Sequence, residues 1–346
     1  MKGEKKTYQY SADLLLRLLG VVYLLAFYSL SSQIHGLIGE AGLLPATTFF
    51  SFASDQLGLS GFVTLPSVFW WSSSDHALGL VCYAGMFFSI LLIIGVVPLL
   101  STLVLWVLYL SVTIAGQVFL SFQWDNLLLE AGFLAVLLSP PVWRLHLRLN
   151  PQVSRVVIFL FHLLLFKLMF MSGVVKLASG DETWRDLSAL TYHFWSQPLP
   201  VWVSWYVDQA PVWLLKAATG FMFFIELVVP FFIFLGRYFR YAAFLLFAAL
   251  QLGIIATGNY GYFNILSIVL CVSLLDDRVY SVKKEIPTQP LAPWLSQTVT
   301  YVRWGTATVI VFVTMILRRG YGFIEVRNGC IQIVGGILLG WRCLVF

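Results

Sequence analysis

The sequence predicts an all-α membrane protein, a polytopic transmembrane helical bundle. Of its 346 residues, 60% are hydrophobic and 11% are charged, and the mean hydropathy is +0.87, whereas a soluble domain is about half apolar and about a quarter charged. Since about 20 apolar residues cross a bilayer as a helix, this composition leaves room for many spans and excludes a large extramembrane enzyme domain. The apolar runs are continuous rather than alternating, which excludes a transmembrane β-barrel and predicts helices.

Nine apolar stretches qualify as spans when the chain is read in windows of about 19 residues. They lie at 13–31, 76–97, 99–120, 126–141, 154–175, 211–235, 239–257, 261–275 and 298–317. Three of the connecting loops are long, namely 32–75, 176–210 and 276–297, and no internal repeat is evident. We therefore expect one helical domain.

The charged residues that flank the spans predict which side each loop faces, because Lys and Arg are enriched in cytoplasmic loops. Three lysines place the N-terminus, 1–12, in the cytosol, and strict alternation of the spans then puts most other basic loops on the same side. The loop 32–75 falls on the opposite side and contains no Lys or Arg. The multi-spanning domain, 13–317, is followed by a short tail, 318–346, whose Arg318 and Arg319 depart from the charge pattern.

The two long loops opposite the cytosol are rich in aromatic residues, which in the second loop include Trp195, Trp202 and Trp205. Tryptophan and tyrosine favour the interface between membrane and water. We expect short helices that lie on the membrane surface or dip into it, broken by Pro198 and Pro200. An aromatic belt that only sets the depth of the protein is the alternative.

The net charge of +5 does not indicate a nucleic-acid partner, because the 21 Lys and Arg residues are scattered among the loops. The four cysteines lack zinc spacing, and the histidines in loops lack a pattern typical of metal ligands. The common nucleotide-binding, hydrolase and metalloprotease motifs do not occur. We therefore expect no cofactor, no metal and no nucleic-acid partner, and we expect the lipid bilayer as a partner.

Four ionisable residues fall inside predicted spans: Glu130, His162, Lys167 and Glu226. Because such a residue costs at least about 2.5 kcal/mol at the bilayer centre, it tends to face a partner or a cavity. Counting about 1.5 Å per residue from the span ends places Lys167 and Glu226 near mid-membrane and Glu130 closer to the non-cytosolic face. Lys167 and Glu226 could therefore pair, either as a contact that specifies helix packing or as a substrate or proton site.

Lys176 ends the fifth predicted span, in FMSGVVKL, beside the second aromatic loop. A lysine that is partly desolvated there could have a lowered pKa and act as a base. A lysine at a span end could equally extend to the interface as an ordinary anchor. Both interpretations stay open.

Several segments with unusual polar strings resemble one known family. They are SLSSQIHGLIGEAGLLPA, GQVFLSFQWDNLLLEAGFLAVLLSP, LLFKLMFMSGVVKLASGDETWRDLSALTYHFWSQPLP, FFIELVVPFFIF and IIATGNYGYFNILSIVLCVSLLDD. Together they resemble the lipase maturation factor family, in colinear order over residues 14–277. The resemblance implies a multi-pass protein of the endoplasmic reticulum membrane, with its non-cytosolic side in the lumen. It also implies a non-enzymatic assembly factor whose clients are secreted lipases.

The family also carries a soluble luminal domain after its last spans. Here 27 residues follow Arg319, and they show no such domain. We therefore expect that the tail 318–346 stands in place of the luminal domain.

A wider resemblance links the membrane core to the vitamin K-dependent γ-carboxylase group. The stretch GVVKLASGDETW resembles that group's segment with a catalytic lysine, which implies Lys176 as the base of a membrane-embedded enzyme. The histidine expected after Trp124, Asp125 and Asn126 is replaced by Leu127, so the enzyme is the alternative hypothesis. A second alternative is a small-molecule transporter that uses Glu226, His162 and Lys167, although the inverted repeats of many transporters are not evident.

Overall fold

The computed structural model describes residues 8–142 and 153–280, together with Gly305 and the pairs Val326–Arg327 and Cys330–Ile331. The α-helices in chain order are α1 (Gln9–Ser31), α2 (Ile34–Ile38), α3 (Ala46–Leu57), α4 (Gly61–Thr64), α5 (Asp75–Ile94), α6 (Pro98–Ala115), α7 (Gln123–Leu138), α8 (Arg155–Ala178), α9 (Glu182–Arg185), α10 (Leu190–Ser196), α11 (Trp202–Asp208), α12 (Val212–Phe223), α13 (Arg237–Thr257) and α14 (Phe263–Cys271). Short 3-10 helices lie at Gly58–Ser60, Val68–Trp70, Gln117–Leu120, Val229–Phe234 and Val272–Leu274, and Phe224–Val228 is a π-helix. Strands β1 (Val326–Arg327) and β2 (Cys330–Ile331) pair antiparallel, with Val326 opposite Ile331.

The structure confirms an all-helical membrane domain but not the count of nine spans. In the described residues, six helical runs are long and apolar enough to cross a membrane: α1, α5, α6, α8, the run Val212–Phe234 and α13. Helix α7 and the run Phe263–Leu274 match two further predicted spans, but they are shorter. The ninth predicted span, 298–317, and the boundary at 317 lie almost entirely outside the described residues.

The connections define two ends of the bundle. The long loops 32–74 and 179–211 lie at one end, which we call the long-loop end. At the opposite end, the carboxylate of Asp277 accepts hydrogen bonds from the backbone N–H groups of Gln9 (2.8 Å) and Tyr10 (2.9 Å). The first N–H groups of a helix have no partner within the helix. Asp277, near the C-terminal end of the described domain, therefore caps α1 and joins the first and last described segments of the bundle.

Helix α1 packs along α5, and its aromatic side chains reach Tyr109 of α6. Tyr23, Phe27 and Tyr109 form a ring cluster there, with centroids 5.6–6.3 Å apart. Gly85 of α5 lies against Phe27, and a Cβ atom at Gly85 would lie 2.5 Å from the phenylalanine ring. Small residues allow this close approach between transmembrane helices, where packing rather than hydrophobic burial supplies most of the association energy.

Gly85→Leu should therefore separate α1 from α5 and lower the yield of folded protein. Overpacking of a filled core typically costs about 1–3 kcal/mol, and the aromatic ring has no free space to move into because Phe27 is fully buried. The matched control is Gly253→Leu in α13, because Gly253 is exposed and a Cβ atom placed there would have no other atom within 4 Å. Thermal unfolding in detergent measures both; equal midpoints for the two variants would contradict this account of the α1–α5 contact.

Short helices fill both long loops, as the aromatic pattern predicts. Helices α2, α3 and α4 lie in the first loop, and α9, α10 and α11 lie in the second, with Pro198 and Pro200 between α10 and α11. Their placement at a membrane surface stays a prediction at this point.

Candidate functional site

Helix α8 carries two lysines, and each binds a different glutamate. The Lys167 Nζ donates to Glu130 Oε1 of α7 at 2.6 Å. The Lys176 Nζ donates to both carboxylate oxygens of Glu226, at 2.6 and 2.7 Å. The two acids and two lysines of the membrane domain that the sequence singles out are therefore matched in two ion pairs.

The hypothesis that Lys167 pairs with Glu226 is wrong. Lys167 and Lys176 are nine residues apart, so along a helix they are separated by about 13.5 Å and, at about 100° per residue, they point to opposite faces. Lys167 faces α7 and Lys176 faces the segment that contains Glu226. Depth counted from span ends failed because Glu226 lies beside Gly173 and Lys176, near the end of α8, and not beside the middle of that helix.

Gly173 sets the register between α8 and the π-helix Phe224–Val228. A Cβ atom at Gly173 would lie 2.7 Å from the Leu227 side chain and 3.1 Å from the Glu226 Cβ. The missing side chain lets the π-helix approach α8 one turn before Lys176. Glu226 is thus level with the end of α8, which continues to Ala178. A π-helical segment is rare and frequently occurs at functional sites.

The Lys176–Glu226 pair lies beside the second long loop, and we call it, with Trp184, His193 and Tyr260, the Lys176 site. The Lys176 Nζ is 5.6 Å from the centroid of the Trp184 ring, and Tyr260 Oη lies 3.1 Å from His193 Nε2. Burial lowers the pKa of His193, and the positive charge of Lys176 lowers this pKa further. A neutral imidazole is therefore the stable form beside the lysine.

The geometry of the Lys176 site favours structure over base chemistry. Glu226 is 5% exposed and Lys176 is 24% exposed, and both carboxylate oxygens bind the amine. An amine that acts as a base must offer a free lone pair, whereas an ammonium that donates to a carboxylate does not. The anchor interpretation is also incomplete, because the amine binds a buried acid instead of extending to the interface.

His162 lies in the same helix, toward the opposite end of the bundle. Its Nε2 is 2.9 Å from the backbone carbonyl oxygen of Ser273, and the side chain is buried. This contact ties α8 to the end of the α14 run. His162, Lys167 and Lys176 therefore join α8 to three different neighbours.

A polar cluster that the sequence analysis missed lies near the long-loop end. Asp125 Oδ1 accepts hydrogen bonds from the hydroxyls of Tyr109 (2.6 Å) and Tyr262 (2.9 Å), whose oxygens are 2.5 Å apart. Asp125 Oδ2 accepts from the backbone N–H of Phe122 at 3.2 Å. The signal was present in the polar strings QWDNLLLE and TGNYGYFN, which supply Asp125 and Tyr262.

In the part of the chain that the structure describes, no group of three or more His, Cys, Asp and Glu side chains is placed to hold a metal ion. Cys82 and Cys271 are buried free thiols. The site residues thus consist of ion pairs and tyrosine–carboxylate contacts between helices.

These observations define a class of protein: a polytopic helical membrane protein in which Lys–Glu ion pairs join α8 to its neighbouring segments. A family profile described as lipase maturation factor transmembrane domain matches residues 10–282. The chain belongs to the lipase maturation factor family.

Three relatives illustrate the similarity. The chain is 43% identical to lipase maturation factor 2 of Xenopus laevis over 277 residues, which covers 74% of this chain and 38% of that protein. It is 39% identical to lipase maturation factor 2 of Homo sapiens, covering 77% and 40%, and 34% identical to lipase maturation factor 1 of Mus musculus, covering 78% and 48%. The chain thus spans less than half the length of each of these relatives. No solved structure matches it.

Proposed function

We propose that this chain forms the membrane domain of a non-enzymatic assembly factor of the endoplasmic reticulum, which assists the folding and maturation of secreted lipases. The observation that carries the proposal is the match of residues 10–282 to the transmembrane domain of the family. The names of the relatives, lipase maturation factors 1 and 2, supply the client class. They lend no support to a carboxylase-like enzyme or a transporter.

The proposed orientation has the N-terminus in the cytosol and the long-loop end in the lumen. The loop 32–75 lacks Lys and Arg, whereas three lysines precede α1 in the sequence, and α1 starts at the opposite end, which agrees with the enrichment of Lys and Arg in cytoplasmic loops. The long loops would then be the parts of this domain that a secreted client can reach. The boundaries 1–12, 13–317 and 318–346 remain part of the proposal.

The bonding of Lys176 supports a structural role for the Lys176 site. In an assembly factor, the Lys176–Glu226 pair fixes the π-helix against α8 and holds the second long loop through Trp184. If Lys176 were a catalytic base, activity would depend on an amine at this position of α8. A charge-swapped pair keeps the contact between the two elements but moves the amine to the other one.

The test is rescue of lipase secretion in cells that lack their own lipase maturation factors. We expect that the family's full-length protein carrying the double substitution Lys176→Glu and Glu226→Lys, at the equivalent positions, restores secreted lipase activity per mass of lipase. Membrane abundance is measured in parallel. Loss of activity at normal abundance would favour the enzyme, whereas an unchanged lipase activity in cells without any maturation factor would contradict the client class.

A further inference from the structure

Helix α11 presents an exposed aromatic face at the long-loop end. Trp202, Trp205 and Tyr206 are 77%, 64% and 63% exposed, whereas Ser204 on the other face is buried. From residue 188 to residue 213 the one residue of type Asp, Glu, Lys or Arg is Asp208. The face is therefore large and apolar to amphipathic, and the next Lys or Arg along the chain is Lys216.

This face is held in a fixed position. The Gln197 side-chain amide donates to the backbone carbonyl oxygen of Thr257 at 2.8 Å and lies 3.1 Å from Ser204 Oγ. The Ser204 hydroxyl lies 3.1 Å from the same Thr257 oxygen. Because Gln197 and Ser204 bind the end of α13, α11 cannot rotate its aromatic residues away from the surface without breaking buried hydrogen bonds.

The attachment also sets the depth of α11. Thr257 is the last residue of α13, and the run Val212–Phe234 begins four residues after α11 ends. Both α13 and this run are long and apolar enough to span a membrane. Helix α11 is thus held at the end of α13 and lies close in sequence to the start of the next apolar run, whose Trp213, in the first turn of α12, is 71% exposed.

We propose that the face formed by Trp202, Trp205, Tyr206 and Trp213 binds lipid at the boundary between headgroups and acyl chains, and that it does not select anionic lipids. Tryptophan and tyrosine have an apolar ring and a polar edge, which suits this boundary. Selection of anionic headgroups takes a cluster of Lys or Arg, whereas the sequence places a single one, Lys216, within a helical turn of Trp213. The proposal rests on the membrane-spanning fold and not on the proposed action on lipases.

Binding of α11 to lipid would also fix the position of the Lys176 site relative to the membrane. Helix α10 carries His193, which contacts Tyr260, and α10 is joined to α11 through Gln197. Lipid bound to α11 therefore holds the loop that covers Lys176 at a set distance from the bilayer.

Depth-dependent fluorescence quenching in proteoliposomes tests the proposal. Trp205→Cys is made in a chain whose Cys330 and Cys343 are replaced by serine, and it is labelled with an environment-sensitive dye in phosphatidylcholine vesicles. Glu182→Cys is the matched control, because Glu182 is exposed on α9 in the same loop. We expect the label at 205 to lose fluorescence to lipids with a nitroxide near the headgroup and less to lipids with a deep nitroxide. The label at 182, in the charged stretch that follows α8, should be quenched less than the label at 205 by both lipids.

Replacing a third of the phosphatidylcholine by phosphatidylglycerol should leave the quenching at 205 unchanged. Increased quenching at 205 with anionic lipid would contradict the proposal that the face does not select anionic lipids. Equal, weak quenching at 205 and 182 would contradict the proposal that the face binds lipid. A label at 205 that is unquenched by lipid but changes on addition of a lipase would assign the face to a protein. Should labelling disturb the fold, Trp205→Phe provides the second measurement, since it should remove part of the quenching of intrinsic fluorescence by brominated lipid.

Discussion

Glu226→Lys should give a protein that fails to accumulate in membranes, and a second substitution, Lys176→Glu, should restore it. The single variant places two ammonium groups where the structure has an ion pair at 2.6 Å. Loss of one partner of a buried pair costs about 3–5 kcal/mol, and a repulsive contact costs more, against a total stability of about 5–15 kcal/mol. Abundance in membranes and the thermal midpoint in detergent measure the effect.

The choice of rescuing partner makes this experiment specific. Lys167→Glu should not rescue Glu226→Lys, because Lys167 lies on the opposite face of α8 and binds Glu130. Glu226→Leu should be less harmful than Glu226→Lys, since it leaves one unpaired lysine near the end of a helix rather than two facing cations. Rescue by Lys167→Glu but not by Lys176→Glu would show that the register between α8 and the π-helix is wrong.

Asp125→Ala should have the second-largest effect, by leaving three donors without an acceptor. These are the hydroxyls of Tyr109 and Tyr262 and the backbone N–H of Phe122. Each buried donor that loses its partner costs about 1–3 kcal/mol, although the two hydroxyls can then bind each other. We expect a large fall in the thermal midpoint of the membrane domain.

A double-mutant cycle separates this cluster from a general loss of packing. Tyr262→Phe alone should cost less than Asp125→Ala, and the double variant should cost less than the sum, because both substitutions remove the same contact. Ser121→Ala, outside the cluster and exposed at the same end, is the control. Strict additivity of Asp125→Ala and Tyr262→Phe would argue against the hydrogen bond between them.

The sequence predicts those parts of the fold whose physical cause lies within a short stretch of neighbouring residues. Continuous apolar runs fix the position of a helix in lipid, so the predicted span 13–31 corresponds to α1 at Gln9–Ser31 and 239–257 to α13 at Arg237–Thr257. Proline and aromatic patterns likewise predicted the short helices α10 and α11. In all of these cases the signal lies within about one helix length.

The contacts between helices could not be predicted in the same way. Whether Glu226 is level with Lys167 or Lys176 depends on Gly173 and on the π-helix, which shift one segment along another. The Asp125 cluster was missed because the predicted span began at residue 126, while α7 begins at Gln123. That boundary placed the carboxylate outside the predicted span and hid its approach to Tyr262.

The cap on α1 has a consequence for biosynthesis. Its acceptor, Asp277, is translated 268 residues after Gln9, which at about 5–20 residues per second takes roughly ten seconds to one minute. Throughout that interval the backbone N–H groups of Gln9 and Tyr10 lack this acceptor. The bonds to Asp277 can form only after the segment that follows α14 has been made, so this end of α1 distinguishes a completed bundle from an unfinished one.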